Sequence, residues 1–370
     1  MKPIRVLQVF TILNRGGAET NIMNYYRKID RTKIQFDFLV HRQEIGAFED
    51  EILQLGGKIF RLPPINPFQL KNYKKQLNLF FDNSNYKIIH GQCSELAYYV
   101  YQEAFNRKVP VIIAHSHNTR DNYDFKLPFR LFWKKNMIKY LNAYFSCGQQ
   151  ASVWLFGKEK SKETFIMKNA IVTNDFIYNE QISTKIKHSL NATNTTNIVA
   201  TARFSKQKNH TFLIDIFNEL CKINTNVKLF LVGNGPLKLQ IENKVKRLNL
   251  QNKVIFLGLR SDVNVINQAM NIFLMPSLFE GLPVSLIEAQ ANGLKCFISE
   301  KIPKEAILIP ENVTTISLTK NSKFWAEQIN NFTSFKKSNL NQRIFDSGYD
   351  ILENAIKLEN KYLELLKNHN

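Results

Sequence analysis

Short apolar segments rich in β-branched and aromatic residues alternate along the chain with longer segments of helical periodicity. This alternation is typical of βαβ units, in which helices join parallel strands. The first half contains six predicted strands: Ile4–Thr11, Phe36–Val40, Lys58–Arg61, Lys87–His90, Val109–His115 and Ala143–Cys147. The second half contains five: Ile198–Ala202, Lys228–Val232, Val254–Leu257, Ile272–Met275 and Lys295–Ser299. The pattern therefore predicts an α/β protein with two doubly wound, Rossmann-like sheets.

A polar segment rich in Asn, Thr and Lys, Asn179–Thr196, separates the two sets of strands, and we interpret it as a linker. It divides the chain into a first domain at residues 1–180 and a second at residues 195–345. Residues 346–370 have apolar positions at helical spacing and no following strand, which predicts a C-terminal helix. Ligands of open α/β sheets bind beyond the C-terminal ends of the strands. We therefore expect the two sheets to face each other across a binding cleft.

Composition narrows the class of protein. Apolar residues make up 44% of the 370 positions, which excludes collagen-like and mostly disordered chains. The net charge of +19 favours anionic partners, namely nucleic acid, a phospholipid surface or phosphorylated small molecules. The four cysteines form no Cys-x-x-Cys pair, so they are interpreted as reduced cysteines of a cytoplasmic protein. No stretch of about 20 apolar residues occurs, so we expect no membrane-spanning helix.

Two motifs in the first half follow predicted strands. Gly16 and Gly17 precede a helix, where the backbone can approach an anion closely, although a tight strand-to-helix turn explains them equally well. His115 and His117 end the fifth strand, at the edge where ligands bind. A neutral histidine there could bond to a substrate, and a purely structural histidine is the alternative. No third residue nearby would complete a metal site.

Two motifs in the second half carry positive charge or glycine. Arg203 and Lys208 flank a short loop after a strand, which suits a diphosphate, although a solvated basic surface has the same composition. Residues 233–236, Gly-Asn-Gly-Pro, follow the next strand. They resemble a phosphate-binding loop in part, but the proline also fits plain helix capping.

The most informative segment joins the strand at Ile272–Met275 to a new helix. Glu280 and Glu288 are eight residues apart, with Gly281 and Pro283 between them. The backbone amides from Gly281 to Val284 lie at a helix N-terminus, where they can bind phosphate oxygens. Each carboxylate can accept two hydroxyls of a sugar ring. This segment therefore predicts a site for a polyol that carries a diphosphate.

In their order along nearly the whole chain, these motifs resemble those of glycosyltransferase family 4, a large retaining group with the GT-B fold. The resemblance rests on Gly16-Gly17-Ala18-Glu19, His115-Ser116-His117-Asn118, Arg203 with Lys208, Phe256-Leu257-Gly258 before Asp262, Glu280 with Glu288, and Gly293-Leu294-Lys295-Cys296. The sequences of these motifs are most similar to those of the capsular and exopolysaccharide subgroup of Gram-positive bacteria. Three positions depart from the family, because Ala170, Ala202 and Lys295 stand where Gly, Gly and Pro are frequent.

The resemblance implies a role for each candidate residue. It implies that Arg203 and Lys208 bind the donor diphosphate, that Glu280 holds the transferred sugar and that Glu288 holds the ribose. Four residues, Gly281, Leu282, Pro283 and Val284, would support the phosphates. Leu259 and Arg260 would touch the base. Gly16 and Gly17 would close over the donor or receive the acceptor, and His117 would contact the sugar unless His115 does. The family's C-terminal helix crosses back onto the first domain.

We therefore expect a retaining glycosyltransferase that moves a hexose or N-acetylhexosamine from a nucleotide-diphosphate sugar, a UDP sugar, to a polyprenyl-diphosphate-linked saccharide. The sequence contains no Asp-x-Asp motif, so we predict that protein cations replace a metal ion and that no cofactor is needed. A sugar-nucleotide epimerase of similar fold is the alternative enzyme. A nucleic-acid-binding protein is suggested by charge alone, and we expect no nucleic-acid partner.

A basic and aromatic segment at residues 125–140 predicts a helix lying in a membrane interface. Lys126, Arg130 and Lys134 lie one above another on that helix, with Trp133 beside them, and we predict that these four contact lipid. A core-packing helix with a solvated basic edge fits as well. A second, weaker candidate combines Lys71, Lys74 and Lys75 with Leu77, Leu79, Phe80 and Phe81. An anionic lipid surface would place the protein on the cytoplasmic face of the cell membrane.

Overall fold

The computed structural model describes residues 2–119, 127–332 and 337–369. The chain divides into unit 1, Met1–Ala170 with Ile351–Asn370, and unit 2, Ile171–Asp350. Each unit contains one parallel sheet with helical connections between its strands. The predicted α/β class with two doubly wound parallel sheets is thereby confirmed.

The sheet of unit 1 has seven strands in the order β3-β2-β1-β4-β5-β6-β7. The strands are β1 (Ile4–Phe10), β2 (Ile34–Val40), β3 (Ile59–Arg61), β4 (Ile88–Gly91), β5 (Val111–Ser116), β6 (Ala143–Ser146) and β7 (Phe165–Ile166). The helices that connect them are α1 (Gly17–Lys28), α2 (Glu49–Gln54), α3 (Leu70–Asp82), α4 (Tyr98–Asn106), α5 (Leu127–Met137) and α6 (Gln149–Lys160). All residues of β2, β4, β5 and β6 are buried, because helices cover both faces of a parallel sheet.

Unit 2 has a six-stranded sheet in the order β10-β9-β8-β11-β12-β13. Its strands are β8 (Thr196–Thr201), β9 (Val227–Val232), β10 (Val254–Gly258), β11 (Ile272–Met275), β12 (Lys295–Ser299) and β13 (Val313–Ile316). Its helices are α7 (Glu180–Ser189), α8 (His210–Ile223), α9 (Lys238–Arg247), α10 (Val263–Gln268), α11 (Val284–Ala291), α12 (Ser322–Asn330) and α13 (Asn341–Ile344). The hydrophobic core between sheet and helices includes Trp325, Phe217 and Leu229.

The last helix, α14 (Ile351–His369), belongs to unit 1 although unit 2 precedes it in the chain. It packs against α1, and its Tyr362 is fully buried beside Phe36 and Phe145, with ring centroids 6.2 Å and 6.3 Å away. Among the described residues, no helix is both long enough and apolar enough to cross a membrane.

The interpretation of Asn179–Thr196 as a linker is wrong. Residues 180–189 of this segment form α7, and the side chain of Asn179 caps its first turn by accepting a hydrogen bond from the Ile182 amide. Ser183 is buried and donates to the carbonyl of Gln268, which fixes α7 to the body of unit 2. The division between the units lies between Ala170 and Ile171.

Candidate active site

Lys208 and Glu280 of unit 2 meet where the strand order of its sheet reverses. From β8 the chain proceeds outwards through β9 and β10 on one side, and β11 begins the opposite side. The loops that follow β8 and β11 therefore diverge from neighbouring strands, which is where open α/β sheets bind ligands. Arg203 and Lys208 lie in the first of these loops, and Glu280 lies in the second.

An ion pair joins these two loops. The Nζ of Lys208 lies 2.7 Å from each carboxylate oxygen of Glu280, whose side chain is 5% exposed. Two further hydrogen bonds hold the loops in register, because the Gln207 side chain donates to the Phe279 carbonyl at 3.0 Å and the Leu278 amide donates to the Gln207 carbonyl at 2.8 Å. The sequence analysis overlooked Gln207, although it lies within the recognised Arg203–Lys208 segment.

The side chain of Arg203 is more exposed to solvent than that of Lys208. Its side chain is exposed, and within the described ranges no carboxylate forms an ion pair with it. The residue after it, Phe204, is fully buried and stacks on the ring of His210 with centroids 4.3 Å apart. The backbone next to Arg203 is thus anchored while its guanidinium remains accessible to an anion.

Gly233 and Gly235 have a structural explanation. A Cβ on Gly233 would lie 2.1 Å from the carbonyl oxygen of Ala202, and a Cβ on Gly235 would lie 2.5 Å from that of Phe204. The loop after β9 is pressed against the loop after β8, and the Phe204 amide donates to the carbonyl of Asn234. These glycines therefore permit close packing of two loops, which accounts for them without a phosphate.

The segment from Glu280 leads directly into α11. Gly281, Leu282 and Pro283 form the turn, and α11 begins at Val284 with no side-chain cap at its N-terminus. Glu288 lies in the second turn of this helix and is half-buried. Burial raises the pKa of Glu288 to about 7, so its carboxyl group is partly protonated at neutral pH.

Leu259 and Arg260 lie beyond β10, which β9 separates from β8 in the sheet. Leu259 is exposed, and Arg260 forms a bidentate ion pair with Asp262 at 2.7 and 2.8 Å. The Gly233 amide donates to the Gly258 carbonyl at 2.7 Å. The loop after β10 is thus adjacent to the loop after β9.

In unit 1, Gly16 and Gly17 lie at the start of α1, directly after the central strand β1. A Cβ on Gly16 would lie 2.3 Å from a carboxylate oxygen of Glu19, so this glycine lets the Glu19 side chain fold back over the helix N-terminus. A Cβ on Gly17 would meet no atom within 4 Å in the described structure. Because the carboxylate of Glu19 is the flexible end of a side chain, packing requires a glycine at neither position.

The two histidines at the end of β5 differ in exposure. His115 is fully buried, whereas His117 is half-buried and lies just beyond the strand. Their rings stack with centroids 4.0 Å apart. Burial lowers the pKa of His117 to about 4 and that of His115 well below its usual value, so both are neutral at pH 7. Of the two, only His117 has a surface that a ligand could contact.

His117 is connected to a buried polar network that the sequence analysis did not find. Its Nε2 lies 2.8 Å from Oε1 of Gln92, and the amide of Gln92 donates to Oε1 of Gln8 at 2.8 Å. Gln8 in turn donates to the hydroxyl of Tyr362 at 3.2 Å. Gln8, a polar residue within an apolar strand, was a sequence signal for the part of this network that lies behind the histidines.

The predicted membrane contacts need correction. Lys126 lies outside the described residues. Trp133 packs on Tyr99 with ring centroids 5.9 Å apart, and the Nζ of Lys134 lies 3.9 Å from the ring centroid of Trp154. Trp133, Lys134 and Arg130 are half-buried, because their side of α5 packs against the protein.

The exposed apolar surface of α5 consists of other side chains. Phe129, Leu131 and Phe132 are 52%, 47% and 57% exposed. Lys135 is an exposed cation on the same helix. The surface of α5 is therefore both apolar and basic. The exposed side chains that make it so are sequence neighbours of the residues predicted to contact lipid.

Across residues 2–119, 127–332 and 337–369, no three His, Cys, Asp or Glu side chains lie close enough together to hold a metal ion. The charged groups of the unit 2 site are thus Lys208, Glu280, Arg203 and Glu288. Together they can bind an anion through two cations and accept hydroxyl groups through two carboxyls.

Comparison with known proteins extends these observations. Residues 181–347 match the family model described as "Glycosyl transferases group 1". The "Putative glycosyltransferase EpsF" of Bacillus subtilis is 33% identical over 99% of this chain and 98% of its own length. The "Capsular polysaccharide biosynthesis glycosyltransferase CapH" of Staphylococcus aureus is 25% identical over 90% of this chain and 92% of its own.

A solved structure gives the fold. The crystal structure of HepE from Anabaena in complex with UDP-glucose matches with a TM-score of 0.78 and 16% identity, covering 98% of this chain and 99% of that one. This likeness confirms the predicted GT-B fold.

Proposed function

The chain belongs to the group 1 glycosyltransferases, and from this premise we propose a specific reaction. The protein is a retaining enzyme of glycosyltransferase family 4 that transfers a hexose or N-acetylhexosamine from a UDP sugar. The acceptor is a polyprenyl-diphosphate-linked saccharide in capsular or exopolysaccharide assembly. The likeness to CapH supports the pathway, and the UDP-glucose complex of HepE supports the donor class.

The observation that carries the proposal is the paired arrangement of Lys208 and Glu280 beside an exposed Arg203. Cleavage of a sugar nucleotide develops negative charge on the leaving diphosphate and positive charge on the sugar ring. Arg203 can bind two phosphate oxygens as a planar fork, and Lys208 can add a point charge. Such preorganised charges each contribute about 3 kcal/mol to stabilising a transition state.

The carboxylates serve the neutral parts of the donor in this proposal. Glu280 accepts hydroxyls of the transferred sugar, and its contact with Lys208 supports a sugar site next to the diphosphate site. Glu288 accepts the ribose hydroxyls from the second turn of α11. Amides at the start of α11, around Gly281 to Val284, bind the phosphates, because the N-terminus of a helix favours anions.

The protein's own cations take the part that a metal ion plays in other transferases, and the reaction is metal-independent. The leaving phosphate helps to deprotonate the acceptor on the same face of the sugar, which retains the anomeric configuration. His117, Gly16 and Gly17 belong to the sugar and acceptor side of the site, and Leu259 and Arg260 belong to the base.

We further propose that unit 1 binds the cytoplasmic face of an anionic membrane, where a lipid-linked acceptor would be presented. The exposed Phe129 and Phe132 of α5 provide apolar side chains for the interface. Tyr99 of α4 connects this helix to α3, because its ring contacts both Trp133 and the Nζ of Lys74, which lies 5.2 Å from the ring centroid. Aromatic residues next to exposed lysines are typical of membrane interfaces.

The transfer reaction can be tested directly. Purified protein is incubated with a panel of UDP sugars and a polyprenyl-diphosphate-linked N-acetylhexosamine in detergent, with and without EDTA. We expect release of UDP, a lipid product with the donor's anomeric configuration, and an unchanged rate with EDTA. An inverted product, or a rate abolished by EDTA, contradicts the mechanism. An epimerised sugar nucleotide formed without acceptor identifies the alternative enzyme.

Membrane binding is tested by co-sedimentation with vesicles. The double variant Phe129→Ser with Phe132→Ser is expected to reduce the fraction bound to vesicles containing anionic lipid by about tenfold. Each substitution removes apolar side-chain area that the membrane would bury. Leu239→Ser is the matched control, because Leu239 is 68% exposed on the basic helix α9 of unit 2. Equal loss in both variants, or no loss in either, contradicts the assignment of the surface.

A further inference from the structure

A chain of buried polar side chains in unit 1 ends at His117, and none of its other members has a role in the proposed reaction. We propose that Gln92 is a positioning residue that holds His117 protonated on Nε2, leaving Nδ1 to accept a hydrogen bond from a substrate hydroxyl. Gln8 and Tyr362 orient Gln92. The inference rests on the proposed function, because it assigns His117 to the sugar side of that site.

The direction of each hydrogen bond follows from the amide of Gln92. Its nitrogen donates to Oε1 of Gln8, so its own oxygen faces His117 and can only accept. The Nε2 of His117 must therefore carry the proton. In a neutral imidazole the other nitrogen, Nδ1, is then an acceptor, and it has no hydrogen-bond partner among the residues described.

The orientation of Gln92 is itself determined by the next members of the chain. Gln8 donates its amide to the Tyr362 hydroxyl and therefore offers only its oxygen to Gln92. The Tyr362 hydroxyl lies 2.7 Å from Nδ1 of His90 and can donate its hydrogen to that nitrogen. In that arrangement His90 donates from Nε2 to Nδ1 of His115, which lies 3.1 Å away.

This chain behaves as one unit. Reversal of Gln92 or Gln8 alone would place two donors or two acceptors face to face, so the direction can change only if every member changes. All members except His117 are nearly or fully buried: Gln8, His90, His115 and Tyr362 are fully buried, and Gln92 is 4% exposed. An unmatched polar group in such surroundings costs about 1–3 kcal/mol. The protonation of His117 is thus set by residues that never contact the substrate.

The surroundings of His117 keep it neutral. Its ring stacks on His115, which in turn stacks on His90, and burial lowers the pKa of all three below the usual value for histidine. A neutral ring with its proton held on one nitrogen can act only as an acceptor through the other.

Unit 1 also contains a matched control for a merely structural role. Gln35 on β2 is 5% exposed and donates its amide to the hydroxyl of Tyr26 at 2.9 Å. It repeats the buried Gln–Tyr pairing of Gln8 with Tyr362, but neither residue hydrogen-bonds to a histidine. Gln35→Met removes a comparable hydrogen bond and leaves the hydrogen bonds that lead to His117 intact.

The experiment measures the tautomer of His117 by NMR of protein labelled with ¹⁵N-histidine. The signal is assigned by its loss in His117→Gln. We expect the wild-type protein to show an unprotonated Nδ1 and a protonated Nε2. Gln92→Met is expected to give a mixture of tautomers and to lower kcat about tenfold with KM within threefold, as loss of an orienting partner does at other sites. Gln35→Met is expected to change neither.

A conservative variant adds a second readout. Gln92→Glu keeps an acceptor opposite Nε2, so the wild-type tautomer is expected to persist once the Gln8 amide reverses to donate to the other carboxylate oxygen, but the carboxylate raises the pKa of His117. The pH profile of kcat should then fall at acidic pH and recover towards alkaline pH, whereas the Gln92→Met profile should keep its wild-type shape.

Two results overturn the inference. One is an Nδ1-protonated His117 in the wild-type protein. The other is a Gln92→Met variant whose tautomer and kcat match those of Gln35→Met. The tautomer measurement needs no turnover, so its result stands apart from the proposed function. A protein that shows the expected tautomers but transfers no sugar supports the hydrogen-bond assignment and contradicts the proposed function.

Discussion

The two sheets share a topology but carry opposite chemistry where their strand order reverses. In unit 2 the loops after β8 and β11 present an ion pair and a further exposed guanidinium. In unit 1 the central strands β1, β4 and β5 carry glutamine and histidine side chains that are uncharged at neutral pH. The fold therefore supplies the location of both sites, while the side chains decide what each can bind.

The charged side chains of unit 2 and the uncharged side chains of unit 1 suit different kinds of ligand. A diphosphate needs charge, and charge is tolerated in unit 2 because Lys208 and Glu280 neutralise each other. In the proposed function a sugar hydroxyl needs only a correctly directed acceptor, which Nδ1 of His117 would provide and which the buried amides and imidazoles behind it would orient. Three predictions test this contrast between a charged and a neutral site.

The largest effect is expected from the charged site. Glu280→Ala removes the carboxylate opposite Lys208 and should lower the transfer rate by about 100- to 1,000-fold, as loss of one preorganised group does in other active sites. The measurement is kcat/KM with a UDP sugar. Asp215→Ala is the control, since Asp215 forms an ion pair with Lys244 at 2.6 Å elsewhere in unit 2. Wild-type turnover in Glu280→Ala would refute the site.

Next in size is the response of stability to acid. Burial lowers the pKa of four histidines in unit 1: His41, His90, His115 and His117. Histidines of the unfolded chain bind protons with a pKa of about 6.5. Each of these four histidines therefore lowers the free energy of unfolding by about 1 kcal/mol when the pH falls from 6.5 to 5.5.

Unit 2 should respond less, because the shifted pKa values of His210 and Glu288 have opposite effects on its stability. His210 has a pKa lowered to about 4 and loses stability in acid, whereas Glu288 has a pKa raised to about 7 and gains stability as the pH falls from 7. Hydrogen exchange at pH 6.5 and 5.5, corrected for intrinsic rates, should show larger losses of protection in β4 and β5 than in β8 and β11. Equal losses in the two sheets would contradict the contrast.

The smallest effect concerns donor affinity. If ribose hydroxyls bond to the ionised form of Glu288, affinity for a UDP sugar should fall about tenfold from pH 8 to pH 6, because its pKa is about 7. A UDP sugar is preferred to UDP because it has no terminal phosphate that titrates in this range. Calorimetric titration of Glu288→Gln should show a flat profile, and a persisting pH dependence in that variant would assign the titration to another group.

Much of the fold could be predicted because the central strands of a parallel sheet are buried on both faces. Eleven strands were predicted and are present, whereas β7 and β13 were missed. Both lie at sheet edges, and β13 keeps three of its four residues partly or fully exposed, so it lacks a continuous apolar signal. The helix α7 was missed because its composition is polar, although Asn179 is a recognisable N-cap.

The candidate site was predictable only where it lies in local sequence. Lys208 and Glu280 were found because each follows a strand within a distinctive segment. Tyr362 could not be found, since it reaches Gln8 from 354 positions away and its helix has an ordinary amphipathic pattern. Local motifs reveal groups held on one loop, whereas a network assembled across the sheet requires the three-dimensional structure.

The position of α14 has a consequence for biosynthesis. The ribosome completes the strands of unit 1 first and then makes the 180 residues of unit 2 before the helix that supplies Tyr362. At roughly 5–20 residues per second, this interval lasts about 10–40 s. During this interval Gln8 and His90 lack the phenol of Tyr362, which joins them in the finished protein. The core of the first sheet therefore remains incomplete until unit 2 has been translated.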